Sequence, residues 1–283
     1  MSDVSPIPEG TAQLPNQAAT AVGSGRWAAF VAAVQFLTRV SLSTRGPVSA
    51  GALARCPVYF PVVGVLIGVF TSAVLGVACL FWSIWLAVIG TLAAEALLTG
   101  AFHEDAVADF CDAFGGGWTR EDILRILKDS RIGTYGTLGL GLAVALRAGA
   151  MVEIMHRHGL ENWLVWSSVL VASSAVGRWV IVLVMVCVPP VPSRESLSRD
   201  IGSQLNRWDL LAATLWTLPA AIWLAVQLPQ HAALAVALVV PTVFWFMRLV
   251  NRRLGGITGD CLGCIGYVSQ VFVLLAAAAR WRP

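Results

Sequence analysis

The stretch VYFPVVGVLIGVFTSAVLGVACL, residues 58–80, runs its whole length without a charged side chain. A helix needs about 20 consecutive apolar residues to cross the hydrocarbon core of a bilayer, so this run reads as a membrane span. LVWSSVLVASSAVGRWVIVLVMVCVPP, residues 164–190, is as long and admits one charge, Arg178. Hydropathy along the rest of the chain places spans at 58–80, 82–102, 134–155, 163–188, 210–226, 232–250 and 262–279. The weaker segment 27–40, broken by Gln35, Thr38 and Arg39, reads as an interfacial or re-entrant helix.

Composition points the same way. The chain is 57% hydrophobic and only 12% charged, whereas a soluble domain carries roughly 25% charged residues. The twelve tryptophans lie mainly near the ends of the apolar runs, where amphipathic rings meet the headgroups. The expected fold is therefore an all-α polytopic integral membrane bundle of about six to eight helices. A net charge of +3 without a basic run excludes a nucleic-acid partner. The six cysteines sit in or beside apolar stretches and read as packing residues, including the CxxC pair Cys261 and Cys264, which has no second ligand pair. Residues 1–25 are polar, Pro/Gly-rich and free of Lys and Arg. They lack the features of a signal peptide and are expected to form a disordered cytoplasmic tail, leaving 26–283 as one helical membrane catalytic domain.

Basic residues orient the bundle. Arg120, Arg125, Lys128 and Arg131 follow the second span, Arg194, Arg199 and Arg207 follow the fourth, and Arg248, Arg252 and Arg253 follow the sixth. The opposite loops have one basic residue between them, Arg157. Cytoplasmic loops are enriched in Lys and Arg, so all three segments are expected on the cytoplasmic side of a bacterial inner membrane. Arg280 and Arg282 then fall outside, which argues against a full crossing by the last segment.

Seven of the sixteen acidic residues lie between Glu104 and Asp129. In HEDAVADFCD, residues 103–112, Asp105, Asp109 and Asp112 stand at i, i+4 and i+7, within about 60° of one another on a helix. Like charges so arranged at a membrane edge repel unless a cation neutralises them. A hard divalent ion with oxygen ligands, Mg²⁺ or Mn²⁺, suits that set, and Mg²⁺ completes its shell with water and phosphates. The blander alternative is a solvated acidic face, which usually intersperses Lys; here none appears before Lys128. LKDSRIGTYGTLG, residues 127–139, supplies Lys128, Ser130, Arg131 and Thr134 among glycines, a cradle suited to an anion at a helix start. Arg147 and Arg178 lie inside apolar runs and must face the bundle interior and find an anionic ligand or partner; the blander alternative is a structural ion pair, for instance Arg147 with Glu153. NRRLGGITGDCLG, residues 251–263, adds Arg252, Thr258 and Asp260 as a second glycine-rich polar turn capping the last helix. Together these residues suggest metal-assisted phosphoryl chemistry.

At these residues the chain resembles the cobalamin synthases, the adenosylcobinamide-GDP ribazoletransferases. Their pattern TGxxHxDGLADxxDG is met by Thr99 to Asp112, and (K/R)DSRxGTxG by Lys128 to Gly136. Gly177 with Arg178, and LGGxTGDxLG at residues 254–263, follow in order. SRESL around Arg194 and Glu195 matches more weakly. Ala106, Val107 and Ala113 replace the family's Gly, Leu and Gly. The resemblance implies transfer from adenosylcobinamide-GDP to α-ribazole or its 5′-phosphate, with release of GMP and a requirement for Mg²⁺. It implies metal binding by Asp105, Asp109 and Asp112, phosphate contacts from Lys128 and Arg131, and a contribution from Arg178. Proton removal falls to His103 or a cluster aspartate, and Asp129 and Asp260 either bind a second metal or fix Arg131 and Arg252. Self-association into a homo-oligomer stays open. Two alternatives are another membrane phosphotransferase, such as a CDP-alcohol phosphatidyltransferase, and a cation or metabolite transporter. The first places an alanine-arginine pair between its aspartates, which this chain lacks. The second favours polar residues at mid-membrane.

Overall fold

The computed structural model describes residues 25–42, 49–191, 201 and 205–280. Apart from Gly25, the expected tail lies outside them, as do Arg194, Glu195, Arg199 and Arg282. The described chain is helical throughout, without a strand: α1 (Arg26–Leu37), α2 (Ala50–Arg55), α3 (Phe60–Ala78), α4 (Ile84–Thr99), α5 (Phe102–Gly116), α6 (Arg120–Ile126), α7 (Thr134–His158), α8 (Trp163–Cys187), α9 (Arg207–Gln227), α10 (Pro229–Leu254) and α11 (Gly259–Ala278). Six helical stretches are long and apolar enough to cross a membrane, the first being α2 and α3 joined through a 3₁₀ turn, Ala50–Ala78. α4, with 16 residues, reaches the length of a seventh span only when counted together with the helix that follows it, from which it is bent by 91°, and the chain is a polytopic membrane bundle. Many large apolar side chains lie exposed, among them Leu97, Leu215, Ile222, Val236 and Trp245, as expected of a surface that faces lipid.

α8 is the central post, buried along most of its length against α3, α9 and α11. Lipid gives helices no hydrophobic reason to associate, so close backbone approach over small residues must hold them together. Gly64 and Gly68 of α3 supply it: a methyl on Gly68 would stand 2.5 Å from the Val171 Cα, and one on Gly64 2.6 Å from the Ser174 carbonyl. Hydroxyls in these helices return to their own turns, as Ser72 Oγ does to the Gly68 carbonyl at 2.7 Å, which satisfies them without water.

Segment 27–40 yields α1, whose 12 residues rise only about 18 Å, too short to cross, in keeping with the expectation that it is not a full span. Two other expectations change, over 82–102 and at the last segment. The span expected over 82–102 ends at Thr99, and the next helix leaves at 91°. The break is made by Gly100 (φ 72°) and Ala101 (φ 55°), both left-handed. Glycine takes that conformation freely, whereas alanine pays about 1 kcal/mol. The last segment forms a helix of crossing length. Arg280, the charge that counted against it, donates to Glu153 of α7 at 2.9 Å. Arg157 caps the end of α11 by donating to the carbonyls of Ala278 and Ala279, each at 2.8 Å.

Candidate active site

The break after α4 sets α5 apart from the crossing helices, packed across α7 and α11 on the face where α10 ends. With four acidic residues in its fifteen, α5 is not itself a crossing segment. Glu104 and Asp105 occupy its first turn, where the positive end of the helix dipole favours them. Its buried side carries His103, Ala106, Val107 and Ala108. Ala106, one of the departures from the family pattern, packs against Gly263, where an added methyl would approach its Cβ to 2.5 Å. That contact brings the start of α11 against α5.

The same approach brings Asp260, in the first turn of α11, to the acidic face. Burial pushes the Asp109 carboxyl from its ordinary 3.8 up to about 6, aided by the charges of Asp105, Asp260 and Asp112. Among the described residues, Asp105, Asp109 and Asp260 have no Lys or Arg partner, since the ion pairs engage Asp122, Asp129, Glu95, Glu104 and Glu153 instead. Three all-oxygen donors with uncompensated charge fit Mg²⁺, which needs only one or two carboxylates and takes water and phosphate for the rest. The side chains are not drawn into a closed shell: among the described residues no three His, Cys, Asp or Glu converge on one point.

Asp112 is placed differently. Its Oδ2 accepts from Gly133 N at 2.6 Å and its Oδ1 from Gly136 N at 2.8 Å. Gly133 is the N-cap of α7 and has no side chain to close it, so Asp112 caps α7 from the neighbouring helix. An anion there meets the free amides and the positive end of the dipole together.

The proposed phosphate cradle is mostly solvent-facing. Lys128, Ser130, Arg131 and Thr134 are exposed. Asp129 fixes Arg131, accepting from Nε at 3.0 Å and Nη2 at 2.7 Å, and that guanidinium holds the Asp129 carboxyl down at about 2. Asp260 does not pair with Arg252, which is exposed at the end of α10. Thr258 caps α11 by accepting from Cys261 N, and Cys261 and Cys264 are buried, free thiols. A cleft of about 770 Å³ lies between α1, α2 and α9, with Arg26, Arg55, Tyr59 and Trp216 in its wall. None of Asp105, Asp109, Asp112 and Asp260 lines it.

His103 lies under the acidic face. It is 3% exposed, its ring stands edge-on to Phe102, and its Nε2 has no hydrogen-bond partner among the described residues. Arg178 is 2% exposed and donates to Gln270 Oε1 at 2.6 Å and Ser174 Oγ at 3.4 Å. Arg147 does not pair with Glu153, six positions along its own helix and facing elsewhere. It donates through Nη2 to Glu95 Oε2 at 2.6 Å, and Nη1 stands 3.6 Å from Glu104 Oε1. The sequence reading passed over Glu95, yet a signal was there: it is the one charged residue in α4, and a lone carboxylate in an apolar run demands a cation. It also missed how the loop after α5 is held to the end of α10, with Arg253 Nη2 donating to the Gly117 carbonyl at 2.7 Å and Arg120 Nε to that of Leu254 at 2.8 Å.

The family model described as Cobalamin-5-phosphate synthase matches residues 29–278. The adenosylcobinamide-GDP ribazoletransferase of Leptospira interrogans is 32% identical over 260 residues, covering 90% of this chain and 97% of its own. That of Bradyrhizobium diazoefficiens is 36% identical over 248 residues, 87% of this chain and 92% of its own, and that of Shewanella frigidimarina 33% over 256 residues, 88% and 94%. No solved structure matches.

Proposed function

The chain belongs to the cobalamin-5-phosphate synthase family, and from that premise we propose that the acidic face of α5 is where it works as an adenosylcobinamide-GDP ribazoletransferase. A hydroxyl of α-ribazole, or of its 5′-phosphate, attacks the phosphorus that bears cobinamide. The new P–O bond gives adenosylcobalamin or its 5′-phosphate, and the pyrophosphate bond breaks to release GMP. The observation that carries the siting is that Asp105, Asp109 and Asp260 feel one another's charge and have no Lys or Arg partner among the described residues. The relatives lend no support to a phosphatidyltransferase or a transporter.

Asp105, Asp109 and Asp260 are the residues we assign to Mg²⁺, with Asp112 orienting the start of α7 and keeping a lone pair on each oxygen for a ligand. Bound there, Mg²⁺ would supply Lewis-acid neutralisation of phosphate oxygens. Lys128 and Arg131 would add positive charge on the exposed side, with Ser130 and Thr134 offering hydroxyl donors and Arg252 approaching from the end of α10. The attacking hydroxyl meets the acidic side of α5, whereas His103 is buried on the other. Its proton therefore passes to a carboxylate of the cluster, and His103 serves to seat the helix. Arg178, deep in the bundle, acts on the face through its field. We place this face in the cytosol, from the basic residues Arg120, Arg125, Lys128, Arg131, Arg252 and Arg253 that lie on it, in the inner membrane.

Purified chain in detergent, given adenosylcobinamide-GDP, α-ribazole and Mg²⁺, should release GMP in step with cobalamin. Asp109→Asn should abolish both while inserting normally. Full turnover by that variant would remove the site.

A further inference from the structure

We propose that Arg147 is a positioning residue that clamps the α4–α5 break and so sets where the carboxylates of α5 stand. This rests on the reading above that those carboxylates are the reacting site. Arg147 is 3% exposed, and its two terminal nitrogens address carboxylates on opposite sides of the break: Nη2 to Glu95, four residues before the end of α4, and Nη1 to Glu104, in the first turn of α5. The guanidinium also lies over the Tyr267 ring of α11, 5.3 Å from its centroid. One planar cation on α7 thus ties together the three helices that meet at the acidic face. A guanidinium suits this because its fork is rigid and serves two carboxylates at once, which a single ammonium does not.

The break needs such a tie. Ala101 holds a left-handed φ of 55°, the one non-glycine residue with positive φ among those described, and a strained residue persists only where its surroundings fix it. α4 and α5 make little direct contact with each other beyond the break, so the angle between them is set through third parties. Asp105 follows directly on Glu104, and Asp109 is one turn further along the helix. Swinging α5 about the break would carry both away from Asp260, which rides on α11.

Charge balance explains why the clamp is affordable in the interior. Glu95 and Glu104 match Arg147 and Arg178, and the field of both glutamates reaches Arg178, whose own contacts are the neutral Gln270 and Ser174. Removing one member leaves a buried charge unmatched and threatens folding itself. The informative variants therefore keep the sum at zero or keep the charge.

The test measures two things on full-length protein in lipid nanodiscs: amide hydrogen exchange over residues 102–110 and GMP release. Glu95→Gln/Arg147→Met removes one charge of each sign. It should retain the melting temperature within a few degrees, speed exchange in that segment at least about tenfold, and lower kcat about 100-fold, the scale of a 1 Å misplacement. Arg147→Lys keeps the charge but not the fork, and should lose about tenfold in kcat with little change in melting. Glu153→Gln, an ion pair of α7 far from the break, should alter neither reading. Wild-type exchange in the double variant, or wild-type turnover in Arg147→Lys, overturns the clamp. Faster exchange with undiminished turnover overturns the carboxylate site beneath it.

Discussion

Replacing Asp112 with alanine separates two roles that one carboxylate can hold. Asp112 accepts from Gly133 N at 2.6 Å and Gly136 N at 2.8 Å, and α7 has no side-chain cap of its own. Hydrogen bonds to a charged group contribute about 1.5–3 kcal/mol each. Gly133 is exposed, where water replaces part of that, whereas Gly136 is buried and keeps its bond, so the pair amounts to about 2–3 kcal/mol. At 1.4 kcal/mol per tenfold, exchange of the Gly133 and Gly136 amides should accelerate about 30- to 150-fold in Asp112→Ala. Asp112→Asn keeps one acceptor and should fall about halfway on the logarithmic scale. Exchange resolved at the first turn of α7, in nanodiscs without metal, reads this directly. Wild-type protection in Asp112→Ala would refute the capping role and leave Asp112 as a metal ligand alone.

Four further outcomes follow from other contacts. The Asp109 carboxyl, at about 6 where an unfolded chain has 3.8, binds its proton more tightly in the folded state, so metal-free protein should melt higher as pH falls from 7 towards 4. Over the same window the proton competes with metal, and apparent Mg²⁺ affinity should weaken about tenfold from pH 7 to pH 5, measured by calorimetry. Gly68→Val pushes a side chain into the Val171 backbone of α8 and should abolish folded yield in detergent, where Gly90→Ala, with open space around it, should not. Glu153→Gln removes the ion pairs of Arg157 and exposed Arg280 but leaves Arg157 on the carbonyls of Ala278 and Ala279, and should leave the midpoint of a denaturant titration essentially unchanged.

The crossing helices were legible because each is a long apolar run whose signal survives an error of a few residues at either end. The break at Gly100 and Ala101 was not, since hydropathy over 82–102 reports what the residues are and not the sign of φ at two of them. The acidic face of α5 could be read from helical spacing alone. Its neighbour Asp260 was noticed for the glycines around it, but joining it to Asp109 needed the packing of Ala106 on Gly263, a contact between distant parts of the chain. Asp112 shows the limit of spacing: sharing a face with Asp105 and Asp109 told nothing of the α7 amides that take up its oxygens. Arg147 was rightly seen to need an anion, but the search stayed on its own helix, while Glu95 and Glu104 reach it from two others.

Metal binding at the acidic face tests the account most directly. Titration of Mn²⁺ into the full-length chain in nanodiscs, followed by electron paramagnetic resonance, should show a saturable site that Mg²⁺ displaces. Asp105→Asn, Asp109→Asn and Asp260→Asn should each weaken it at least about tenfold, with GMP release falling in parallel. Affinity equal to wild type in all three would contradict it.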